Sequence, residues 1–258
     1  SYGGLDDWNF QEELPVLKSI YWLTILPNYE FSYLFHKSPS MPVEVKSDAQ
    51  SGRVYFAMNN VPGLGNEPYM DARKDYLQRV TFKLSGHQTG SSDGYSVTSV
   101  NKKKYNSTWQ QVIQELIIET SFGGQLNKNL DGTTDFINLV KANPGDAEKM
   151  KLIFNWVRNN MSWNQITSKT SPDGIKSAWN KKSGTNGEIN LILINLLKEA
   201  GLEVYPLLVS ERYNGTVNRD NPSIDQFNTV YALVVANNKK YYLDANDKFT
   251  PPTIIPVD

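Results

Sequence analysis

A two-domain α+β fold follows from three features of the sequence. A period of two runs through the first hundred residues, a period of 3.6 replaces it near Asn106, and an Asn-Asn pair joins two apolar runs close to the end. The length agrees, since 258 residues exceed the roughly 100–200 of a single domain. The expected division is a β-sandwich-like domain over residues 1–105 and an α+β domain over 106–258.

The strands come first. Tyr29, Phe31, Tyr33 and Phe35 alternate with Glu30, Ser32 and Leu34, and Val80, Phe82 and Leu84 alternate with Thr81, Lys83 and Ser85. That is the pattern of strands with one buried face. Further strands are expected at 19–26, 43–46 and 53–58, separated by turn-rich pieces such as "SPSMP" and "GHQTGSSDG". Antiparallel pairing into a sandwich is the simplest packing for them. The aromatic stripe from Tyr29 to Phe35 is read as core filling rather than as an open stacking surface.

Helices follow. Trp109, Val112, Ile113, Leu116 and Ile117 fall on one helical face, with Ser107 or Thr108 placed to cap it. Met150, Ile153, Phe154, Val157 and Met161 repeat the spacing after the break "NPGD". The most apolar helix begins after Gly184, where Thr185 and Glu188 have the spacing of a capping box, and it stops at Gly201. Its middle is almost all Ile and Leu, with Asn190 and Asn195 as the polar exceptions, so it belongs at the centre of its domain. Strands at 203–209, 229–236 and 239–244 complete the set, the last two joined by Asn237-Asn238, which tolerate the positive φ of a tight hairpin.

Composition removes several functions. With 26 Lys+Arg against 27 Asp+Glu, no charge excess draws nucleic acid or an anionic membrane; Lys102, Lys103 and Lys104 read as a solvated turn. The chain has no cysteine, which excludes disulfides, thiolate metal sites and cysteine nucleophiles. No stretch approaches the roughly 20 apolar residues of a membrane helix, and none reads as a signal peptide. No cofactor and no metal site is expected. The nearest approach to one is "NKNLDGTTDFIN", residues 127–138, which has the polar spacing of a calcium loop. Asn127 and Asn138 replace its first and last carboxylates, so a turn followed by a capped helix is the better reading.

The segments "SGTNGEINLILINLLKEAGLEVYPLLVSER", "PSIDQFNTVYALV" and "KKYYLDANDK" together resemble the core of the transglutaminase-like superfamily, whose fold is related to papain-type proteases. "WNFQEELPVLKS", "MNNVPGLGNEPYM" and "STWQQVIQELIIETSFGGQL" are similar to the β-rich domain that precedes such modules in secreted or envelope-associated bacterial proteins. The resemblance implies a helix start that displays a cysteine, a neighbouring strand with histidine and a following strand with aspartate, for acyl transfer or amide hydrolysis. A helix N-terminus favours thiolate, and a carboxylate orients the imidazole.

Carried onto this sequence, those positions are Asn186, Thr229 and Asp244. Asparagine is no nucleophile, threonine is no proton acceptor near neutral pH, and Asp244 alone orients nothing. His36 and His87 are the two histidines, both in the strand-rich half. The implied protein is a cysteine-free, degenerate member of the superfamily: a non-catalytic binding or assembly module for a peptide, glycan or protein partner in the bacterial envelope, periplasmic or secreted. Glu188, Asp225 and Trp179, with Asn186 and Asp244, are the residues expected around a retained cleft. Two alternatives stay open. One is an amide or glycan hydrolase or transferase rebuilt on the carboxylates Glu188, Asp225 and Asp244, and the other is a structural spacer.

Overall fold

Helices and mostly antiparallel sheets share the chain in the computed structural model, which describes residues 5–48, 50–92, 97–104, 108–143 and 145–246, and the class is α+β. Two units divide it: Ser1–Trp109 with Asn218–Ser223, and Gln110–Val217 with Ile224–Asp258.

The first unit holds β1 (Trp8–Asn9), β2 (Val16–Thr24), β3 (Tyr29–His36), β4 (Glu44–Asp48), β5 (Arg53–Val61), β6 (Arg79–Ser92) and β7 (Val97–Lys104). One sheet has the order β1-β6-β3 with β7 also on β6, and the other β2-β5-β4; every pair is antiparallel. The sheets meet through Phe56, whose ring lies 5.0 Å from Tyr33, 5.9 Å from Phe35 and 5.6 Å from Phe82. Of the aromatic alternation of β3 only Phe35 packs against the buried core cluster, half-buried, while Tyr29 and Tyr33 stay 42% and 45% exposed, so the stripe fills the core only in part.

Two expectations for this unit need correction. Gly86 to Ser92 is not a turn: those residues extend β6, which pairs with β7 from Gly86↔Lys104 onward. Lys102, Lys103 and Lys104 accordingly lie in β7, opposite Gln88, His87 and Gly86. Polar and glycine-rich composition misled here, because a ribbon built from such residues has no apolar stripe to reveal it. Asn218–Ser223 is held in this unit. Trp109 Nε1 donates to the Arg219 carbonyl at 2.7 Å, and the Lys83 ammonium donates to the Pro222 carbonyl.

The second unit contains α1 (Trp109–Ile118), α2 (Thr134–Lys141), α3 (Asp146–Asn160), β8 (Ser162–Trp163), α4 (Ile175–Lys181), β9 (Ser183–Gly184), α5 (Asn186–Glu199), β10 (Glu203–Val209), β11 (Thr229–Ala236) and β12 (Lys239–Leu243). Every residue of α5 from Asn186 to Leu197 is buried, as an all-apolar helix requires. It packs against α3, α4, β10 and β11. Thr185 and Glu188 form the capping box: Glu188 N–H donates to Thr185 Oγ1 at 3.1 Å and Thr185 N–H to Glu188 Oε2 at 2.9 Å. At the other end Gly201 sits at φ +84°, with Gly201 N–H on Lys198 O (2.9 Å) and Leu202 N–H on Leu197 O (3.1 Å). Those two bonds are a Schellman motif.

The sheet β10-β11-β12 is an antiparallel meander, and its hairpin turns on Asn237 and Asn238 at φ 51° and 59°. In α3, Met150, Ile153, Phe154 and Val157 are buried, as their spacing predicts. Helix α1 differs: Val112 and Leu116 are buried, but Ile113 and Ile117 are 51% and 57% exposed. Its apolar stripe is thus wider than the face its unit covers. Ser107, one of its two expected caps, lies outside the described residues.

Candidate functional site

The start of α5 is closed by the segment that follows β8. Asn186 N–H donates to the Ile166 carbonyl at 3.3 Å, and Asn186 Oδ1 accepts from Ser168 N–H and from Gly187 N–H, both at 2.8 Å. Gly187 is required there, since a Cβ on it would stand 2.0 Å from Ser168 O. Residues 166–170 thus form a strap across the helix end. Its outer side is tied by Lys169 Nζ, which donates to Phe227 O at 2.9 Å, and by Thr167 Oγ1, 3.3 Å from the Tyr213 hydroxyl. Asn186 is 2% exposed. An oxygen that accepts two backbone N–H groups serves the fold, and the helix end it satisfies is the one a thiolate would need.

Thr229 opens β11 opposite Val209 and is wholly buried. Its hydroxyl has no hydrogen-bond partner among the described residues. Asp244 follows β12, just past the pair Ala232↔Leu243, so the alternation of the strands puts it on the side of the sheet shared by Tyr231 and Thr229. Asp244 Oδ1 accepts from Asn190 Nδ2 at 2.8 Å and from Asn246 N–H at 3.0 Å. Asn190 also donates to Val230 O (2.9 Å) and accepts from Ala245 N–H (2.8 Å), and it is fully buried. One amide therefore ties α5 to β11 and to the end of β12.

The other expected residues do not gather at a cleft. Glu188 is 8% exposed; one carboxylate oxygen closes the capping box and the other accepts from Ser171 Oγ at 2.9 Å. Asp225 is exposed, in a short 3₁₀ turn before β11. Trp179 lies in the buried core cluster of the unit. It is 4% exposed, its Nε1 donates to Asp131 O at 2.9 Å, its ring lies 5.3 Å from Trp156, and Lys182 Nζ sits 3.1 Å from its centroid. A large ring with one donor is buried readily once that donor has a partner.

A cavity of about 200 Å³ in this unit is lined by residues 126–129, Asn195, Lys198 and Glu199, and none of the five expected cleft residues touches it. The same segment begins the calcium-like stretch. Gly132 stands at φ +75° in the turn and α2 follows from Thr134, but no side chain caps it: the Thr133 hydroxyl donates back to Leu130 O at 2.8 Å. Among the described residues no group of three or more His, Asp or Glu side chains is placed to hold a metal ion.

Sequence reasoning missed a second polar cluster beside Thr229. Glu211 Oε2 accepts from the Tyr213 hydroxyl and from Asn228 Nδ2, both at 2.7 Å, and Asn228 Oδ1 accepts from Glu211 N–H at 2.9 Å. Burial raises the Tyr213 pKa above its ordinary 10; the contact with Thr167 opposes that and the Glu211 carboxylate adds to it. The cluster orders the turn between β10 and β11. Its three members are scattered through loops, so no periodicity announces them.

No protein-family profile matches the sequence, and no curated protein sequence matches it. Among solved structures, a provisionally assigned protease from Parabacteroides distasonis aligns with a TM-score of 0.60 at 16% identity, over 92% of this chain. A provisionally assigned cysteine protease from Cytophaga hutchinsonii aligns at 11% identity over 93% of this chain and 74% of the other, with a TM-score of 0.34. The chain spans 42% of the length of the Parabacteroides protein. At that identity the likeness is one of fold: this chain shares the α+β fold of a structure assigned as a protease.

Proposed function

We propose that the chain is a non-catalytic binding or assembly module, a degenerate member of the transglutaminase-like superfamily with the papain-related fold. In this reading a β-sandwich-like domain over 1–105 precedes the degenerate domain over 106–258, and the protein takes a peptide, glycan or protein partner in the bacterial cell envelope. Asn186, Thr229 and Asp244 stand in the nucleophile, base and orienting positions.

The observation that carries the reading is the hydrogen bonding of Asn186, whose side-chain oxygen accepts from Ser168 N–H and Gly187 N–H. A reactive group must present a free lone pair to substrate, whereas this one is turned onto the backbone. Asp244 is bonded to Asn190 and Asn246, and Glu188 is bonded within its cap and to Ser171. That also weighs against a rebuilt carboxylate pair. The test follows product directly, because a chain without cysteine gives thiol inhibitors nothing to attack. No release or transfer is expected from peptide and glutamine-donor substrates. Turnover that disappeared on Asn186→Ala or Asp244→Asn would refute the reading.

A further inference from the structure

The sheet β2-β5-β4 turns one face away from its core. Phe56 and Met58 of β5 belong to the buried cluster, so alternation along the strand sends Tyr55 and Ala57 to the opposite face. Cross-strand register then sets two neighbouring rows over all three strands: Ile20, Ala57 and Glu44 in one, Trp22, Tyr55 and Lys46 in the next. The contacts agree with that placement. The Trp22 and Tyr55 rings lie 4.8 Å apart, Lys46 Nζ stands 5.8 Å from the Tyr55 centroid, and Lys46 pairs with Glu44 at 2.5 Å. Trp22 is 61% exposed and Ile20 36%. Exposed Trp and Tyr at the middle of a face with charged residues at its margin is the composition of an interface.

Each strand carries a complementary couple at these two outward positions: apolar Ile20 and Trp22 on β2, short Ala57 and long Tyr55 on β5, acidic Glu44 and basic Lys46 on β4. A two-fold axis makes every such contact twice, one residue on its counterpart and the counterpart on it. Because the rows are in register, one axis running across the strands between them matches all three couples at once. Glu44 then faces the partner's Lys46, and Trp22 faces the partner's Ile20. The flanking rows exchange too: Lys18 meets the partner's Thr24 and Arg53 meets the partner's Asn59, so no like charges are opposed. The alternative axis, along β5, would set Arg53 against its own copy and the Glu44 carboxylate on an isoleucine, and both contacts cost free energy.

We propose that this face joins two copies of the chain, sheet on sheet, as a two-fold dimer. Three strands about 4.8 Å apart, with four outward positions about 6.8 Å apart, make a face of roughly 15 Å by 25 Å. That is small beside the about 800 Å² per partner of a standard interface. The dimer is therefore a weak one, filling at micromolar protein and above. The surface belongs to the first unit and does not rest on the reading of positions 186, 229 and 244.

Sedimentation of the intact chain at neutral pH, from about 1 μM to about 1 mM, tests this. The weight-average mass should climb from that of one chain toward that of two. Trp22→Ser should weaken the association about tenfold or more. Glu44→Lys and Lys46→Glu should each weaken it as well, since either sets like charges across the axis, and the double variant carrying both should recover it. Exposed ion pairs contribute little to folding, so the charge variants keep the test if Trp22→Ser loses its folded spectrum. The proposal falls if the parent stays a single chain across the range, if the folded variants associate as tightly as the parent, or if the double variant associates no better than the single ones.

Discussion

Residue 190 is an asparagine where helical periodicity asks for leucine, and its three polar contacts explain the exception. Its partners, Val230, Asp244 and Ala245, are supplied by segments forty or more positions away, so sequence marks the oddity of Asn190 but not its use. Asn190→Ala would take a partner from a carbonyl and an N–H in the core and one of two donors from the Asp244 carboxylate oxygen, and unsatisfied buried groups cost about 1–3 kcal/mol each. Chemical denaturation should show a loss of about 3 kcal/mol or more.

His36 is the other residue with a measurable consequence. Its folded pKa of about 4 lies below the ordinary 6.5, so the unfolded chain binds the proton more readily between those values. The stabilisation is complete above pH 6.5 and is lost as pH falls toward 4. An imidazole titration should give that depressed value, and His36→Gln should flatten stability against pH across the window. Burial and the neighbouring Arg79 set this shift, and neither is visible in the residues flanking position 36.

At the scale of elements, what sequence showed best was local. The start of α5 rests on Thr185 and Glu188, three apart; its end rests on Gly201; the β11–β12 hairpin rests on two adjacent asparagines. Thr185→Ala should lower stability by about 0.5–2 kcal/mol in thermal melts. Less legible were elements whose reason is a distant partner: the long β6–β7 ribbon, the half-covered face of α1, and the strap of residues 166–170. The strap makes its own prediction. Alanine at a helical glycine ordinarily gains about 1 kcal/mol, yet at Gly187 its Cβ would meet Ser168 O at 2.0 Å. The contact is with backbone and cannot be relieved by a rotamer, so Gly187→Ala should destabilise the second unit despite its better propensity.

For the molecule as a whole, the α5 architecture keeps a structural purpose that needs no reactive group at its start. The buried helix, its capping box, its Schellman stop and the Asn190 clamp hold the second unit together, while Asn186 joins the helix end to the strap. The periodicities of the sequence foretold the class and the central helix; the tie between Asn186 and Ser168 spans a loop and could not be read from spacing. Amide hydrogen exchange tests it most directly. In the unsubstituted protein the Ser168 and Gly187 amides should exchange slowly, and Asn186→Ala should free Ser168 while the Ala245 amide, held by Asn190, stays protected. A Ser168 amide that exchanges in the unsubstituted protein at the rate of an open loop would leave the Asn186 side chain unengaged and contradict its structural role.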